Sequence, residues 1–290
     1  MEFHLFLPQM RMTFDQLVER AQAAEAAGFT GIAGMDHLAP PQAEDQPMYE
    51  PQVLSTWLAA HTERLALGSL VLADAFRHPA LLAKTCVSID HASGGRYELG
   101  IGWGSVAAEF EQFGVEPVAP RDRVARLGES LAIMRALWAG ETVDHEGEHF
   151  TLRGARQMPL PLGRIPIVIG GSGPKTLALV REHADWWNIH VGILDTYDRA
   201  HDQIGDARVS MQHMVAYVPN EDERDEVTTM ADKRFAHSKP AIGSGPELVD
   251  FFGRWRERGV ERVYAWFCDF AKPETLAAFG AEVIAPLRDA

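Results

Sequence analysis

The sequence predicts a closed (β/α)8 barrel, or TIM barrel, formed by a single domain over residues 1–290. Eight short apolar segments alternate, along most of the chain, with segments whose apolar residues recur at helical spacing. Strands that are apolar throughout are typical of a parallel sheet covered on both faces. One such barrel needs roughly 250 residues, which the chain length allows. An open, doubly wound sheet is the alternative for the same pattern.

Apolar composition defines the predicted strands, each of which is short and bounded by turn residues or a helix start. In chain order the predicted strands are Met1–Leu7, Gly31–Met35, Leu65–Leu72, Tyr97–Ile101, Ile165–Ile169, Trp186–His190, Val209–Val218 and Arg262–Phe267.

Caps and periodicity define the helices. Thr13, Asn220 and Ser244 are each followed three residues later by Gln or Glu, which is the spacing of a capping box. Residues Thr142–Pro161 break the alternation and are interpreted as an insertion. The predicted helices are Phe14–Ala27, Val53–His61, Pro79–Ser93, Val124–Leu137, Lys175–Ala184, Thr196–Ile204, Glu247–Arg258 and Thr275–Leu287.

Composition excludes several classes of protein. The formal net charge of −14 argues against a nucleic-acid partner, because binding phosphates requires excess Lys and Arg. No apolar run reaches the roughly 18 residues of a membrane span, and the first residues lack the pattern of a signal peptide. We therefore expect a cytoplasmic protein without a membrane partner. Cys86 and Cys268 are far apart and are expected to be reduced thiols.

A metal site is not predicted. His145–His149 matches the H-E-x-x-H pattern of zinc proteases, which requires a helix to bring both imidazoles to one face. Gly147 lies at its centre and apolar residues flank it, so a hairpin is expected instead.

In such a barrel, functional side chains follow the strands. Asp36 and His37 end strand two and could act as acid, base or hydrogen-bond donor; alternatively Asp36 caps the loop and His37 only packs. Ser69, Leu70 and Val71 follow a glycine within strand three, which suggests a bulge, although a buried strand explains the glycine equally well.

Two glycine-rich strand ends complete the candidate site. Alternate glycines around Gly102 and Trp103 would let a flat ring lie against bare backbone, with Glu109 within reach; a sharp turn with a packing Trp is the alternative. Residues Gly170–Gly173, including Gly171 and Ser172, join a strand to a helix, where backbone N–H groups and Lys175 could hold a phosphate.

Together these stretches resemble the luciferase-like flavin and deazaflavin oxidoreductases over nearly the whole chain. Within this family, the sequence looks most like enzymes that use coenzyme F420. The stretches that carry the resemblance are Met35–His37, Phe76–Lys84, Ser93–Gly102, Val143–Leu152 and Pro166–Asn188, which includes Ala184–Asn188.

The resemblance implies a (β/α)8 barrel with an insertion near the C-terminal mouth, usually in a homodimer, and a non-proline cis peptide at Leu70–Val71. It implies a small-molecule substrate and a flavin or deazaflavin cofactor, with a flavin or F420 reductase as a further possible partner. The catalytic residues it implies are His37 and Asp36, and Glu109 is a further catalytic candidate, as a substitute for an acid that one branch of the family has and this chain lacks. The cofactor-binding residues it implies are Asp36, His37, Ser69, Leu70, Val71, Gly102, Trp103, Gly170, Gly171, Ser172, Gly173, Lys175 and Asn188.

The sequence departs from one branch of this family. Related sugar-phosphate dehydrogenases have a carboxylate where this chain has Ser105, and a Trp where it has Pro41. Oxidation of a sugar phosphate is therefore not expected.

The leading functional hypothesis is hydride transfer between coenzyme F420 and a small organic substrate, with His37, oriented by Asp36, moving the accompanying proton. The aromatic residues Trp103, Trp187 and Phe267 are candidates for a lining that excludes water. An FMN-dependent monooxygenase supplied with reduced flavin by a separate reductase is the first alternative. A non-catalytic flavin-binding barrel is the second.

Overall fold

The computed structural model describes residues 1–41, 43–104, 107–115, 118–235 and 238–289. Its strands are β1 (Glu2–Phe6), β2 (Gly31–Gly34), β3 (Ala66–Ser69), β4 (Leu72–Ala73), β5 (Leu99–Gly102), β6 (Val143–Glu146), β7 (Thr151–Ala155), β8 (Ile167–Gly170), β9 (Trp186–His190), β10 (Arg208–Tyr217), β11 (Ala241–Gly243) and β12 (Val260–Phe267).

Helices and short turns connect most of these strands. The helices are α1 (Phe14–Ala26), α2 (Pro51–Ala59), α3 (Pro79–Ser93), α4 (Ala107–Gln112), α5 (Pro120–Trp138), α6 (Pro174–His183), α7 (Tyr197–His201), α8 (Arg224–Phe235), α9 (Gly245–Glu257), α10 (Pro273–Phe279) and α11 (Ala285–Asp289). Short 3-10 turns cover Asp74–Phe76, Val191–Thr196 and Glu221–Glu223, and a π-helical turn covers Gly280–Ile284.

The main sheet is parallel and closes into a barrel. Its strands follow one another in the order β3-β2-β1-β12-β10-β9-β8-β5-β4, and β11 pairs only with β10. The two ends meet because Leu67 of β3 accepts from the Glu98 N–H and donates to Arg96 O, both at 2.9 Å. β3 and β4 occupy one position, so the ring has the predicted eight positions. The barrel is confirmed and the open sheet is wrong.

Several local predictions are confirmed. α3 and β9 have the predicted bounds, and Thr13 and Ser244 form capping boxes with Gln16 and Glu247. Asn220 instead caps the 3-10 turn that precedes α8. Cys86 and Cys268 are buried free thiols.

Other elements differ from the prediction. The predicted helix Thr196–Ile204 is shorter, because its first residues belong to a 3-10 turn and only Tyr197–His201 are α-helical. For α8 only the cap at Asn220 was predicted, without helix bounds, and α4 and β11, which are only a few residues long, were not predicted. Such short segments do not span enough periods to show a pattern.

The insertion is an antiparallel hairpin of β6 and β7, as predicted. The Glu129 carboxylate of α5 accepts hydrogen bonds from the backbone N–H groups of Glu148 and His149, and it contacts the His145 ring at 3.1 Å. The two histidines of the H-E-x-x-H pattern therefore lie on a hairpin rather than on a helix. Within the described ranges, no cluster of three or more His, Cys, Asp or Glu side chains could hold a metal ion.

None of the helices in the described part of the chain is long and apolar enough to span a lipid bilayer.

The third strand position is interrupted between β3 and β4, where the Leu70–Val71 peptide bond is cis, as the resemblance implied. β5 approaches this interruption so closely that a Cβ on Gly100 would lie 1.8 Å from the Ser69 carbonyl oxygen. Glycine is therefore required at position 100, because any side chain would displace the backbone beside the interruption.

The substitution Gly100→Ala is expected to destabilise the protein by about 3 kcal/mol, the upper range for overpacking a rigid core, since the obstructing atom is backbone. The thermal midpoint should fall by roughly 6–12 °C, at about 2–4 °C for each kcal/mol. Calorimetry checks this value. Gly163→Ala is the matched control, because a Cβ there would meet no atom within 4 Å. Equal midpoints for the two variants would contradict the close approach.

Candidate active site

A cavity of about 300 Å³ opens at the carboxyl ends of the barrel strands. It is the place where the strand-end rule puts the active site of such a barrel. Most predicted site residues line it, namely Asp36, His37, Leu70, Val71, Gly102, Trp103, Glu109, Gly170, Gly171 and Asn188. It is also lined by residues that the sequence analysis did not single out: Met35, Leu72, Ala73, Phe76, Gly104, Phe110, His190 and Gln212.

Asp36 follows β2, and its carboxylate is almost wholly engaged. Arg77 donates to both oxygens, at 2.5 Å and 3.0 Å, and the Ala73 N–H donates to Oδ2 at 2.7 Å. Arg77 also contacts the more exposed Glu50 at 2.8 Å. Asp36 therefore connects strand two to β4 and to the segment after it, and its charge is balanced locally. This geometry fits a structural role better than proton transfer.

His37 is held by Glu109, a residue of α4. The two contact through Nδ1 and Oε2 at 2.9 Å, and the other Glu109 oxygen accepts from the Leu38 N–H at 2.7 Å. A carboxylate only accepts, so Nδ1 carries the hydrogen and Nε2 is left as an acceptor. The expectation that Asp36 orients His37 is wrong, because Arg77 and Ala73 occupy its oxygens and Glu109 fills that role.

One wall of the cavity combines the interrupted third strand with the end of β5. Leu70 and Val71 lie beside Gly102, and a Cβ on Gly102 would stand 3.0 Å from Val71 Cγ2. Trp103 is half-buried, with the Arg123 guanidinium 5.7 Å from the centre of its ring. The wall is thus bare main chain and apolar side chain, as a flat ring requires.

The glycine-rich turn lies across the cavity, between β8 and α6. Gly171 has a φ of +120°, which side chains other than glycine rarely adopt, and its carbonyl accepts from Trp187 Nε1 at 2.7 Å. Gly173 caps α6, and the first turn of that helix contains no acidic residue. The first N–H groups of a helix lack partners within the helix, so this turn can receive an anion.

Asn188 is buried in the middle of β9, where it pairs with Gly170 at the start of this turn. Its Oδ1 accepts from Ser210 Oγ at 3.0 Å. This bond orients the side chain and leaves the amide hydrogens available to a ligand in the cavity.

Some predicted residues lie elsewhere. Ser69 faces a small internal cavity below the mouth, together with His4 and Tyr264. Ser172, Gly173 and Lys175 belong to the glycine-rich turn and the start of α6 but do not line the cavity. Ser105 lies outside the described residues.

The predicted aromatic lining is only partly correct. Trp103 lines the cavity, whereas Trp187 and Phe267 are buried in the main core because their strands turn these side chains away from the mouth. Phe76 and Phe110 supply the other aromatic surface of the lining.

His190 and Gln212 are the polar residues that the sequence analysis missed. They are paired neighbours on β9 and β10. Gly192 N–H donates to His190 Nδ1 at 3.1 Å, and burial lowers the pKa of this imidazole. His190 ends a predicted strand, so the strand-end rule could have identified it.

The chain matches known proteins in sequence over part of its length. It is 38% identical over 162 residues to the F420-dependent glucose-6-phosphate dehydrogenase of Mycolicibacterium fortuitum, covering 55% of this chain and 48% of that protein. It is 35% identical over 176 residues to the enzyme of the same name from Microbacterium testaceum, covering 59% of this chain and 51% of that one. The chain spans about half the length of these curated relatives.

Solved structures resemble it over the whole chain. An F420-dependent secondary alcohol dehydrogenase, in complex with an F420-acetone adduct, has a TM-score of 0.81 at 18% identity, covering 98% of both chains. The riboflavin lyase RcaE has a TM-score of 0.84 at 16% identity, covering 99% of this chain and 91% of that one. At these identities the likeness shows the fold. The family model described as "Luciferase-like monooxygenase" matches residues 1–258, and the chain therefore belongs to the luciferase-like monooxygenase family.

Proposed function

We propose that this protein is an oxidoreductase that transfers a hydride between coenzyme F420 and a small organic substrate. One observation carries the proposal: a single cavity brings together a bare main-chain wall, the glycines Gly170 and Gly171 that lead into α6, and a histidine held by a buried carboxylate. These features match the three needs of such a site, which are a surface for a ring, a place for a phosphate and a group that moves a proton.

The residues present fit a phosphorylated, planar cofactor. A methyl group on Gly102 would project toward Val71, so glycine keeps this wall flat. The positive φ of Gly171 turns the backbone ahead of α6, whose first N–H groups would receive the phosphate. Gly102, Val71 and Asn188 would contact the ring, and Gly170–Gly173 with Lys175 would hold the phosphate.

The coenzyme, when bound, supplies the hydride chemistry. His37 accepts the accompanying proton at Nε2 or returns it, according to the direction of the reaction. Glu109 stabilises the imidazolium that forms and holds the ring in one tautomer. Asp36 keeps β4 against the loop that carries His37. Phe76, Trp103 and Phe110 exclude water from the cavity.

Sequence relatives support F420 over FMN, because the proteins that match at 35–38% identity carry F420-dependent names. The FMN-dependent monooxygenase is supported by the family's description and by distant solved structures, among them the monooxygenase RslO1 with a TM-score of 0.80. The non-catalytic barrel is disfavoured by His37 and Glu109, a paired base and carboxylate that a mere carrier does not need. A homodimer, a cytoplasmic location and a separate reductase stay predictions of the family resemblance.

Titration of the purified protein with oxidised F420 and with FMN, followed by fluorescence, tests the proposal. We expect saturable binding of F420 and FMN affinity at least about tenfold weaker, a difference of about 1.4 kcal/mol. FMN binding with no response to F420 would favour the monooxygenase. Binding of neither would contradict both.

The variant Gly102→Val places a side chain on the wall where the ring is expected to lie. We expect its F420 affinity to fall about 100-fold, or about 2.7 kcal/mol, since the new side chain would push against Val71 Cγ2, which lies 3.0 Å from the Cβ position, and would displace the surface on which the ring is expected to lie. The control is Gly253→Val, at a helical position where a Cβ meets no atom within 4 Å. Unchanged F420 affinity in Gly102→Val would place the ring elsewhere.

A further inference from the structure

The charges around the cavity disfavour an anionic substrate. Its acidic side chains are Asp36, which Arg77 pairs, and Glu109, and among the described residues no Lys or Arg lines it. The nearest guanidiniums are already engaged: Arg77 by Asp36, and Arg123 by the carbonyl oxygens of Val118 and Gly104. Tight recognition of a phosphate or carboxylate requires a cation or several free N–H donors. The glycine-rich turn supplies such donors, but the proposed cofactor uses them.

The rest of the lining suits an uncharged organic molecule. Leu70, Phe76, Trp103 and Phe110 present apolar surface to the same cavity as the two carboxylates. Burying apolar surface stabilises a complex by roughly 25 cal/mol per Å². Affinity would therefore come from the carbon skeleton of the substrate, and its few polar atoms would set the orientation.

Two imidazoles of opposite hydrogen-bonding character lie in this cavity. At His37 the Glu109 carboxylate accepts from Nδ1, so Nε2 is an acceptor. At His190 the backbone N–H of Gly192 donates to Nδ1 at 3.1 Å, so in the neutral ring the hydrogen must be on Nε2, which is a donor. Because His190 is exposed at the cavity, its Nε2–H is accessible to a ligand. One cavity thus offers a donor and an acceptor that together match a single alcohol oxygen, and once His37 carries the proton on Nε2 the same two rings both donate, as a carbonyl oxygen requires.

We propose that the substrate is an uncharged alcohol or ketone with an apolar skeleton, and that His190 binds its oxygen by donating from Nε2–H. His190 is then a specificity-determining residue, while His37 faces the same oxygen as the group that exchanges its proton. The assignment of alcohol and ketone rests on the proposed function, but the binding of the oxygen by His190 does not.

The tautomers are tested first, without any ligand. Long-range ¹H–¹⁵N spectra of histidine-labelled protein at neutral pH distinguish the two neutral tautomers, and the variants His37→Gln and His190→Gln assign the signals. We expect His190 with hydrogen on Nε2 and His37 with hydrogen on Nδ1. His190 with hydrogen on Nδ1 would overturn the proposal, because it would then present an acceptor.

Binding is tested next with two probes, cyclohexanone and glucose 6-phosphate, on protein with and without saturating F420. Cyclohexanone is expected to bind and to shift the His190 Nε2 signal, and glucose 6-phosphate is expected to bind at least about tenfold more weakly.

The variant His190→Phe keeps an aromatic ring but removes the hydrogen-bond donor. It should lower the affinity for cyclohexanone about tenfold, or by about 1.4 kcal/mol. His190→Asn restores a donor and should recover part of the affinity. His201→Phe, at an exposed histidine of α7, is the control.

The outcomes separate the two proposals. Equal binding of cyclohexanone to wild type and His190→Phe would overturn the role of His190, and preferential binding of glucose 6-phosphate would overturn the uncharged substrate. Loss of F420 binding with intact, His190-dependent binding of cyclohexanone would contradict the proposed function alone. The thermal midpoint of each variant shows whether it folds, and if the Phe variant does not, the shift of the His190 Nε2 signal of the wild type on adding cyclohexanone still tests the contact, since no shift on binding would overturn it.

Discussion

The substitution His37→Ala is expected to lower turnover by about 10²–10⁴-fold, the contribution typical of a positioned acid or base. The affinity for F420 should stay within a few fold, because the wall at Val71 and Gly102 and the glycine-rich turn are expected to hold the cofactor. The reason lies in the geometry: Glu109 engages Nδ1 at 2.9 Å, so Nε2 is the only ring nitrogen left to exchange a proton. The decay or recovery of the F420 absorbance in single turnovers measures the rate.

Two further variants sharpen this test. His201→Ala removes an exposed imidazole of α7 and should leave turnover unchanged. Glu109→Gln keeps an acceptor for Nδ1 but removes the negative charge, so it should slow turnover less than His37→Ala does. Turnover at the wild-type rate in His37→Ala would remove His37 from the mechanism.

The substitution Asp36→Ala is expected to lower the free energy of unfolding by about 3–5 kcal/mol, the cost of breaking a buried ion pair from one side. The Asp36 side chain is 3% exposed and that of Arg77 is 14% exposed. Removing the carboxylate leaves the guanidinium with a single charged partner and the Ala73 N–H without its acceptor. Urea unfolding, followed by fluorescence, measures the change.

Glu50→Ala is the matched control, because Glu50 contacts the same guanidinium from the surface, with its side chain 45% exposed. Exposed ion pairs contribute about 0–1 kcal/mol, and the Glu50 carboxylate also caps α2 by accepting from the Val53 N–H at 2.7 Å, which is typically worth about 1 kcal/mol, so this variant should lose less than about 2 kcal/mol. Similar losses in the two variants would show that Asp36 does not hold the strand end together.

Much of the fold could be predicted from the sequence. Strands such as the predicted Ile165–Ile169 are apolar along their length, and helices such as Pro79–Ser93 have a proline at the start and glycines at the end. These signals are local in the sequence, and they were sufficient to predict most strands and helices of the barrel. The interruption of the third strand is different, since it depends on the close approach of Gly100 to Ser69, which lies on another strand.

The candidate site was predicted in composition but not in its contacts. His37 and Glu109 lie 72 residues apart, and their pairing depends on α4, which is too short to show a periodic pattern. Adjacency in the sequence suggested Asp36 as the partner of His37. Neighbouring residues at a strand end point in different directions, however, and Asp36 turns toward Arg77. Ser69, the last residue of β3, faces the barrel interior, whereas Leu70 and Val71, in the interruption that follows, both line the mouth.

A crystal structure of the protein with F420 bound tests the central claim most directly. The account predicts the deazaflavin ring against Val71 and Gly102, the phosphate at Gly171–Gly173, and His37 Nε2 facing the exposed side of the ring. A ring bound outside this cavity, or a phosphate held away from the start of α6, would contradict it.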